Sequence, residues 1–201
     1  MLLAIDTSAG IGVAVVDRDA GVLAERASAD TRSHAELIGD FIAECLRESG
    51  VAVGDLSGVV AGIGPGPFTG LRVGIAAARV FAIGAGKPVI PVVSHDAVAF
   101  GTDGPVLVVT DARRREVYVS AYSGTDADGL PVRVEGPGLF KPDDVVTPEG
   151  YRRLDAATVS ASSLGLVAEA MYAHRRPFAA DEPLYLRSPD VTPSDGPKRV
   201  S

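Results

Sequence analysis

One cysteine, Cys45, among 201 residues leaves no disulfide framework and no multi-thiolate zinc site, and it points to a reducing compartment. The three histidines, His34, His95 and His174, stand too far apart for two of them to hold a metal from one helix. Also missing are a Gly-x-Ser-x-Gly elbow, a His-Glu-x-x-His pair and a Gly-x-x-x-x-Gly-Lys-Ser/Thr phosphate loop, so hydrolase and metalloenzyme chemistry have little support. No run of 18 uncharged apolar residues occurs, and Asp6 interrupts the apolar start. Neither a signal peptide nor a transmembrane span is expected, and the expected place is the cytoplasm, away from membranes.

Basic residues are in the minority, 19 against 26 acids, for a net charge of −7. Residues 1–60 hold ten acids and four arginines, so nearly all of that charge belongs to the N-terminal segment. This balance argues against a free-standing nucleic-acid binder, because phosphate contacts need clustered Lys and Arg. The length suits one domain or two small lobes.

Three short apolar runs, residues 1–5, 11–16 and 22–27, are separated by turn chemistry and predict a three-strand antiparallel meander. Ser33, with Glu36 three residues on, has the spacing of a capping box, and the helix it opens runs to Gly50. Residues 56–63 read as a buried strand, 69–84 as a second helix and 89–93 as a strand, which makes a βαβ unit. A short helix at 96–100, strands at 105–110 and 116–122, and a helix at 162–176 follow. Residues 101–104 mark the expected lobe boundary. Residues 123–149 read as loops with one or two short strands, and 189–201 as a mobile tail.

The second helix carries the strongest physical signal. Over LRVGIAAARVFAIG the only charges are Arg72 and Arg79, seven apart and so on nearly one stripe. A surface helix should show a polar face, and this one hardly does. It is either buried within its own domain or half of a subunit interface. In a chain of this length, covering both sides internally is hard to arrange, which favours an interface.

The turn after the first strand, Asp6-Thr7-Ser8, is open to two readings. It could contact a phosphate or a metal phosphate, or it could be a turn bonded to its own backbone. The loop 62–70 leaves a strand and opens a helix, yet Pro65 and Pro67 lack the N–H groups a phosphate cradle needs, so it reads as a rigid connector. Arg113, Arg114 and Arg115 fall between two strands and read either as a solvated turn or as a contact for RNA phosphate or acidic groups.

The segments LLAIDTSAGIGVAVV, RSHAELIGDFI, GIGPGPFTGLRVGIAAARVFA, DARRREVYVSAY and EPLYLR together resemble the TsaB (YeaZ) family, non-catalytic subunits of tRNA threonylcarbamoyladenosine (t6A) biosynthesis. The likeness spans residues 1–122 and 182–187, and 64–72 is its most specific part. It implies an α/β, actin-like ATPase (ASKHA) fold, with a complete N-terminal lobe over 1–102, a mixed sheet flanked by helices, and a reduced second lobe over 103–188. It also implies pairing with the catalytic relative TsaD and with the ATPase TsaE, which together attach threonylcarbamoyl to N6 of adenosine 37 in tRNAs reading ANN codons. Subunits of that kind meet in a four-helix bundle and form homodimers when alone.

The resemblance places the interface at Leu37, Phe41, Cys45, Leu71, Arg72, Ile75, Ala78 and Arg79, and a vestigial nucleotide site at Asp6, Thr7, Ser8, Gly64 and Gly66. TsaD holds its metal on a His-x-x-x-His pair. Here His95 stands at the first position and Ala99 at the second, so no metal site and no catalytic residue are expected in this chain. ATP and metal would belong to the partners, and tRNA would be met through the complex. The competing reading is a stand-alone actin-fold kinase or transferase that uses the Asp6-Thr7 turn on ATP.

Overall fold

The computed structural model describes residues 1–30 and 34–187. The capping box expected at Ser33 and the tail expected at 189–201 lie outside the described residues. Strands β1 (Leu2–Asp6), β2 (Ile11–Asp17) and β3 (Gly21–Ser28) form the expected meander, with Leu3 opposite Val15 and Val15 opposite Ala24. Helix α1 (His34–Ser49) follows, then β4 (Gly58–Gly62), α2 (Phe68–Ala85) and β5 (Val89–Val92). β4 lies parallel to both β1 and β5, giving a mixed sheet in the order β3-β2-β1-β4-β5.

Successive side chains of a strand point to opposite faces, and here both faces are covered. Leu3, Ile5, Val13, Val15, Val59 and Ala61 join the core under α1 and α2. Leu2, Ala4, Ala14, Val16 and Val60 join the core on the other side. A sheet buried on both faces reads as unbroken apolar runs, which is what these strands show.

The short helix α3 (Ser94–Ala99) begins two residues before its expected start. A second sheet then forms in the order β8-β7-β6-β9, from β6 (Val106–Arg113), β7 (Glu116–Thr125), β8 (Pro131–Phe140) and β9 (Arg152–Ala156). β8 is a ten-residue strand inside the stretch expected to be mostly loop, and β9 was not expected at all. β9 lies parallel to β6 at the sheet edge, and its residues RRLDA lack a buried alternating face.

Helix α4 (Ala161–Ala173) returns to the first sheet, where Leu164 and Val167 pack with Leu2, Ala4 and Val16. A Cβ on Gly165 would lie 2.6 Å from Val16 Cγ2, so this crossing depends on glycine. The start of α4 is anchored by Glu25 of β3, whose carboxylate accepts from Ser160 Oγ at 3.0 Å, Ser162 N at 3.0 Å and Ser162 Oγ at 2.9 Å. Beyond α4 the chain runs back along α2. Ala179 and Leu184 cover Ile63, Leu71, Ile75 and Val93, and Leu184 N donates to Ile63 O at 2.8 Å.

Candidate functional site

Only six of the eighteen residues of α2 are buried: Gly70, Leu71, Gly74, Ile75, Ala78 and Ala82. They follow helical spacing and face the sheet and the returning C-terminal segment. Opposite them runs an open stripe of Arg72, Ala76, Val80 and Ile83, with Val80 70% and Ile83 80% exposed. Steps of three and four residues hold these positions on one side of the helix. Among the described residues α2 is also the one helix long and apolar enough, by length and composition alone, to cross a membrane. Its inner side is committed to the core, and the outer stripe is what gives it that composition.

This geometry redistributes the residues expected at an interface. Leu71, Ile75, Ala78 and Cys45 lie inside, at 0%, 4%, 0% and 0% exposure. Their own sheet and the segment 179–184 already cover them, so they offer no surface. Cys45 Sγ donates to Val13 O at 3.3 Å, and burial pushes its thiol up to about 11. Leu37 and Phe41 are half-buried, and Phe41 packs against the core between α1 and the sheet. Arg72 is exposed, its guanidinium 5.0 Å from the centre of the Phe68 ring, and Arg79 Nη2 binds the Asp181 carboxylate at 2.8 Å. Ala76, Val80 and Ile83 are the surface residues that the sequence reading missed. Their spacing was readable, but both sides of α2 are apolar, so hydropathy could not tell inside from outside.

Beside this helix the Asp6-Thr7-Ser8 turn closes on itself. Asp6 is buried, and its Oδ1 accepts from Ser8 N at 2.8 Å and Ser8 Oγ at 2.6 Å. Its Oδ2 accepts from Ser94 Oγ at 2.5 Å, and Ser94 Oγ in turn accepts from Gly64 N at 3.0 Å. Burial raises the Asp6 carboxyl above its ordinary value, against the pull of these hydrogen bonds. Thr7 Oγ1 donates to Gly70 O at 2.7 Å and accepts from Gly74 N at 3.0 Å, which fixes the first turn of α2 on β1. Gly66 lies against Ser8, where a Cβ would meet its backbone at 2.8 Å.

The structure thus brings Asp6, Thr7, Ser8, Gly64 and Gly66 together, but with the Asp6 carboxylate and the Thr7 and Ser8 hydroxyls bonded internally. A cavity of about 600 Å³ opens next to them, lined by residues including Ser8, Gly10, Thr69, Asp111 and Arg113. Among the described residues no group of three or more His, Cys, Asp or Glu is placed to hold a metal.

His95 is fully buried and bridges α3 to the second sheet. Nδ1 lies 2.8 Å from Ser120 Oγ and Nε2 lies 2.8 Å from Thr110 Oγ1, which occupies both ring nitrogens. Desolvation, aided by the charge of Arg133, holds its pKa down to about 3 from 6.5. A group with a lowered native pKa gives its full stability above 6.5 and loses it as pH falls toward 3. The loss is about 1.4 kcal/mol per pH unit while His95 alone differs between folded and unfolded chains. Asp6, with its raised value, has the opposite slope and gives its share at low pH. The test is the urea midpoint against pH for the natural chain and for His95→Gln. The variant's midpoint should fall less steeply below pH 6.5, and equal slopes would remove His95 as the cause.

The sequence profile of the TsaD family, tRNA N6-adenosine threonylcarbamoyltransferase, matches residues 13–157. An uncharacterized protein of Mycobacterium tuberculosis is 39% identical over 206 residues, an alignment covering 96% of this chain and 94% of that one. The tRNA threonylcarbamoyladenosine biosynthesis protein TsaB of Escherichia coli is 35% identical over 119 residues, 57% of this chain and 51% of its own length. The alignment therefore spans about half of that relative. The solved structure of YeaZ from Pseudomonas aeruginosa superposes with a TM-score of 0.76 at 24% identity, over 92% of this chain and 99% of that one. Two sheets flanked by helices in this arrangement are the α/β fold of the actin-like class, as the resemblance implied. The chain belongs to the TsaD threonylcarbamoyltransferase family, within its TsaB (YeaZ) branch.

Proposed function

We propose that this chain is a non-catalytic subunit of tRNA t6A biosynthesis, which docks a TsaD-type transferase through the open stripe of α2. The observation that carries this reading is the exposed apolar row Ala76, Val80 and Ile83 on a helix whose other side is packed. A row of this kind loses water favourably only against another apolar surface, at about 25 cal/mol per Å². The neighbouring α1 presents Glu36, Asp40 and Glu48 to solvent, a charge that steers toward a basic surface. In the absence of the partner the same stripe closes a homodimer by two-fold symmetry.

The chemistry then belongs to the partners. ATP and metal would sit on TsaD and TsaE, and the product would be N6-threonylcarbamoyl on adenosine 37 of tRNAs reading ANN codons, formed in the cytoplasm. The internal bonding of Asp6, Thr7 and Ser8 supports the absence of catalysis here, as does Ala99 in place of a second histidine. A depleted strain tests the proposal. Its tRNA nucleosides should lose at least about tenfold in t6A, and an unchanged t6A content would refute the role.

The cavity of about 600 Å³ beside Ser8 favours one competing reading, an ATP-dependent kinase or transferase acting alone. Magnesium-dependent ATP turnover by the isolated chain would establish it, and we expect none above background.

A further inference from the structure

We infer that a hollow on the outer face of the second sheet binds a small amphipathic amine, a molecule that carries an ammonium on an aryl or branched alkyl body. Alternation along β6 sends Val106 and Val108 toward α3, where they pack with Ala99 and Tyr122, and sends Leu107 and Val109 to the opposite face with Val119 and Ala121. A helix covers the first face. Over the second lies the segment between β8 and β9, whose Val145 and Tyr151 pack on part of it. Between that segment and the strands a cavity of about 300 Å³ stays open, at the small end of the range for ligand sites.

The open volume has a source in the sequence. Val119 is paired with Gly138 and Ala121 with Glu135, and β8 is irregular between the two pairs. Gly138 adds no side chain above its pair, and the Phe140 ring leans over it, so that a Cβ on Gly138 would meet Phe140 Cε2 at 2.6 Å. Close packing of a sheet face would ordinarily fill such a gap with side chain. The charges at the mouth then select the ligand. Glu135 and Asp144 are the only ionisable residues that line the cavity; both are exposed, and neither side chain has a hydrogen bond or an ion pair among the described residues. The neighbouring cations are committed elsewhere. Arg133 Nε lies 3.6 Å from the Asp96 carboxylate, and Lys141 lines a separate cavity with Glu116 and Asp143. An apolar concavity rimmed by charge of one sign concentrates the opposite charge. The Phe140 ring, 39% exposed on the same wall, adds a face that attracts a cation.

No residue of α1 or α2 lines the hollow, so the site is separate from the docking face and its test stands apart from that of the docking role. The isolated full-length chain is titrated at low salt with 2-phenylethylamine, by calorimetry and ligand-observed NMR, beside 2-phenylethanol, 3-phenylpropionate and ethylamine. The amine should saturate one site with a Kd of about 1 mM or tighter, as its size allows. The alcohol, which lacks the charge, and ethylamine, which lacks the body, should each bind about tenfold more weakly, and the carboxylate should not bind. Glu135→Gln/Asp144→Asn should weaken the amine about tenfold, leave the alcohol unchanged and keep the thermal midpoint, since both residues are exposed. Ala121→Leu, which fills the floor of the hollow, should abolish binding of amine and alcohol alike, with circular dichroism as the check on folding. The charge pair keeps the test decisive whatever Ala121→Leu does to the fold. The proposal is overturned if the amine fails to saturate below about 10 mM, if 3-phenylpropionate binds as tightly as the amine, or if the charge variant binds the amine as the natural chain does.

Discussion

Replacing Val80 and Ile83 together with aspartate is expected to abolish co-purification with a TsaD-type partner, a loss of at least about a hundredfold in affinity, without unfolding the chain. At 70% and 80% exposure neither side chain supports the core. Surface changes of this kind usually move stability by no more than about 0.5 kcal/mol. At a closed interface each new carboxylate would be stripped of water with no cation provided for it, a penalty of several kcal/mol in real proteins. Two such groups exceed the roughly 2.7 kcal/mol that a hundredfold represents. Leu71→Asp would also abolish binding, but by destroying the fold, since Leu71 is fully buried with Ile63, Ile75 and Val93. The surface pair, checked by circular dichroism, separates docking from folding, and size-exclusion chromatography with the purified partner reads the result.

The second large effect concerns the junction beneath the turn. Gly62→Ala is expected to destabilise the chain by about 3 kcal/mol, at the upper end for overpacking. The added Cβ would fall 1.9 Å from Asp6 Oδ2 and 2.7 Å from its Cγ, so the buried carboxylate must move. Moving it breaks the bond from Ser94 Oγ, and a buried polar group left without its partner adds about 1–3 kcal/mol. Gly74→Ala should act in the same way through Thr7 Oγ1, 2.2 Å from the new methyl. Gly39 of α1 is the control, being exposed with nothing within 4 Å of an added Cβ. Alanine there should stabilise by about 0.5–1 kcal/mol through helix propensity. Urea midpoints at constant m-value measure all three. A Gly62→Ala midpoint equal to the natural one would show that Asp6 is not locked where the structure places it.

The contrast between these glycines shows what a sequence can and cannot disclose. The meander and the βαβ unit were legible because β1, β2 and β4 are buried, largely apolar runs and the connections are punctuated by Gly10, Gly21 and Gly50, each at positive φ. β8 and β9 were not, because edge strands such as RRLDA expose most of their side chains and carry no buried period. The turn at Asp6 was open to two readings. Its internal bonding depends on Ser94 and Gly70, which only the folded chain brings near. A covered second side of α2 was foreseen, but three of the residues named for it, Leu71, Ile75 and Ala78, face the chain's own core. Leu71, Ile75 and Ala78 are no more apolar than Ala76, Val80 and Ile83, and only the position of the sheet tells them apart.

The arginine triplet shows the same limit over a longer range. Phe68 and Tyr185 are far apart in sequence, yet they share a cavity with Arg113 and Arg114. Neither the composition nor any linear motif assembles that group. It appears once the C-terminal segment has crossed α2.

A thiol at position 80 tests the docking face most directly. Native Cys45 is buried, with its thiol pushed up to about 11, and gives a silent background for a single introduced Val80→Cys. In dilute solution the new thiol should react readily with a disulfide reagent, and a saturating amount of the TsaD-type partner should slow it by at least tenfold, about 1.4 kcal/mol of protection. An unchanged rate with the partner demonstrably bound would mean that the two proteins meet elsewhere and that the exposed row on α2 is not the docking surface.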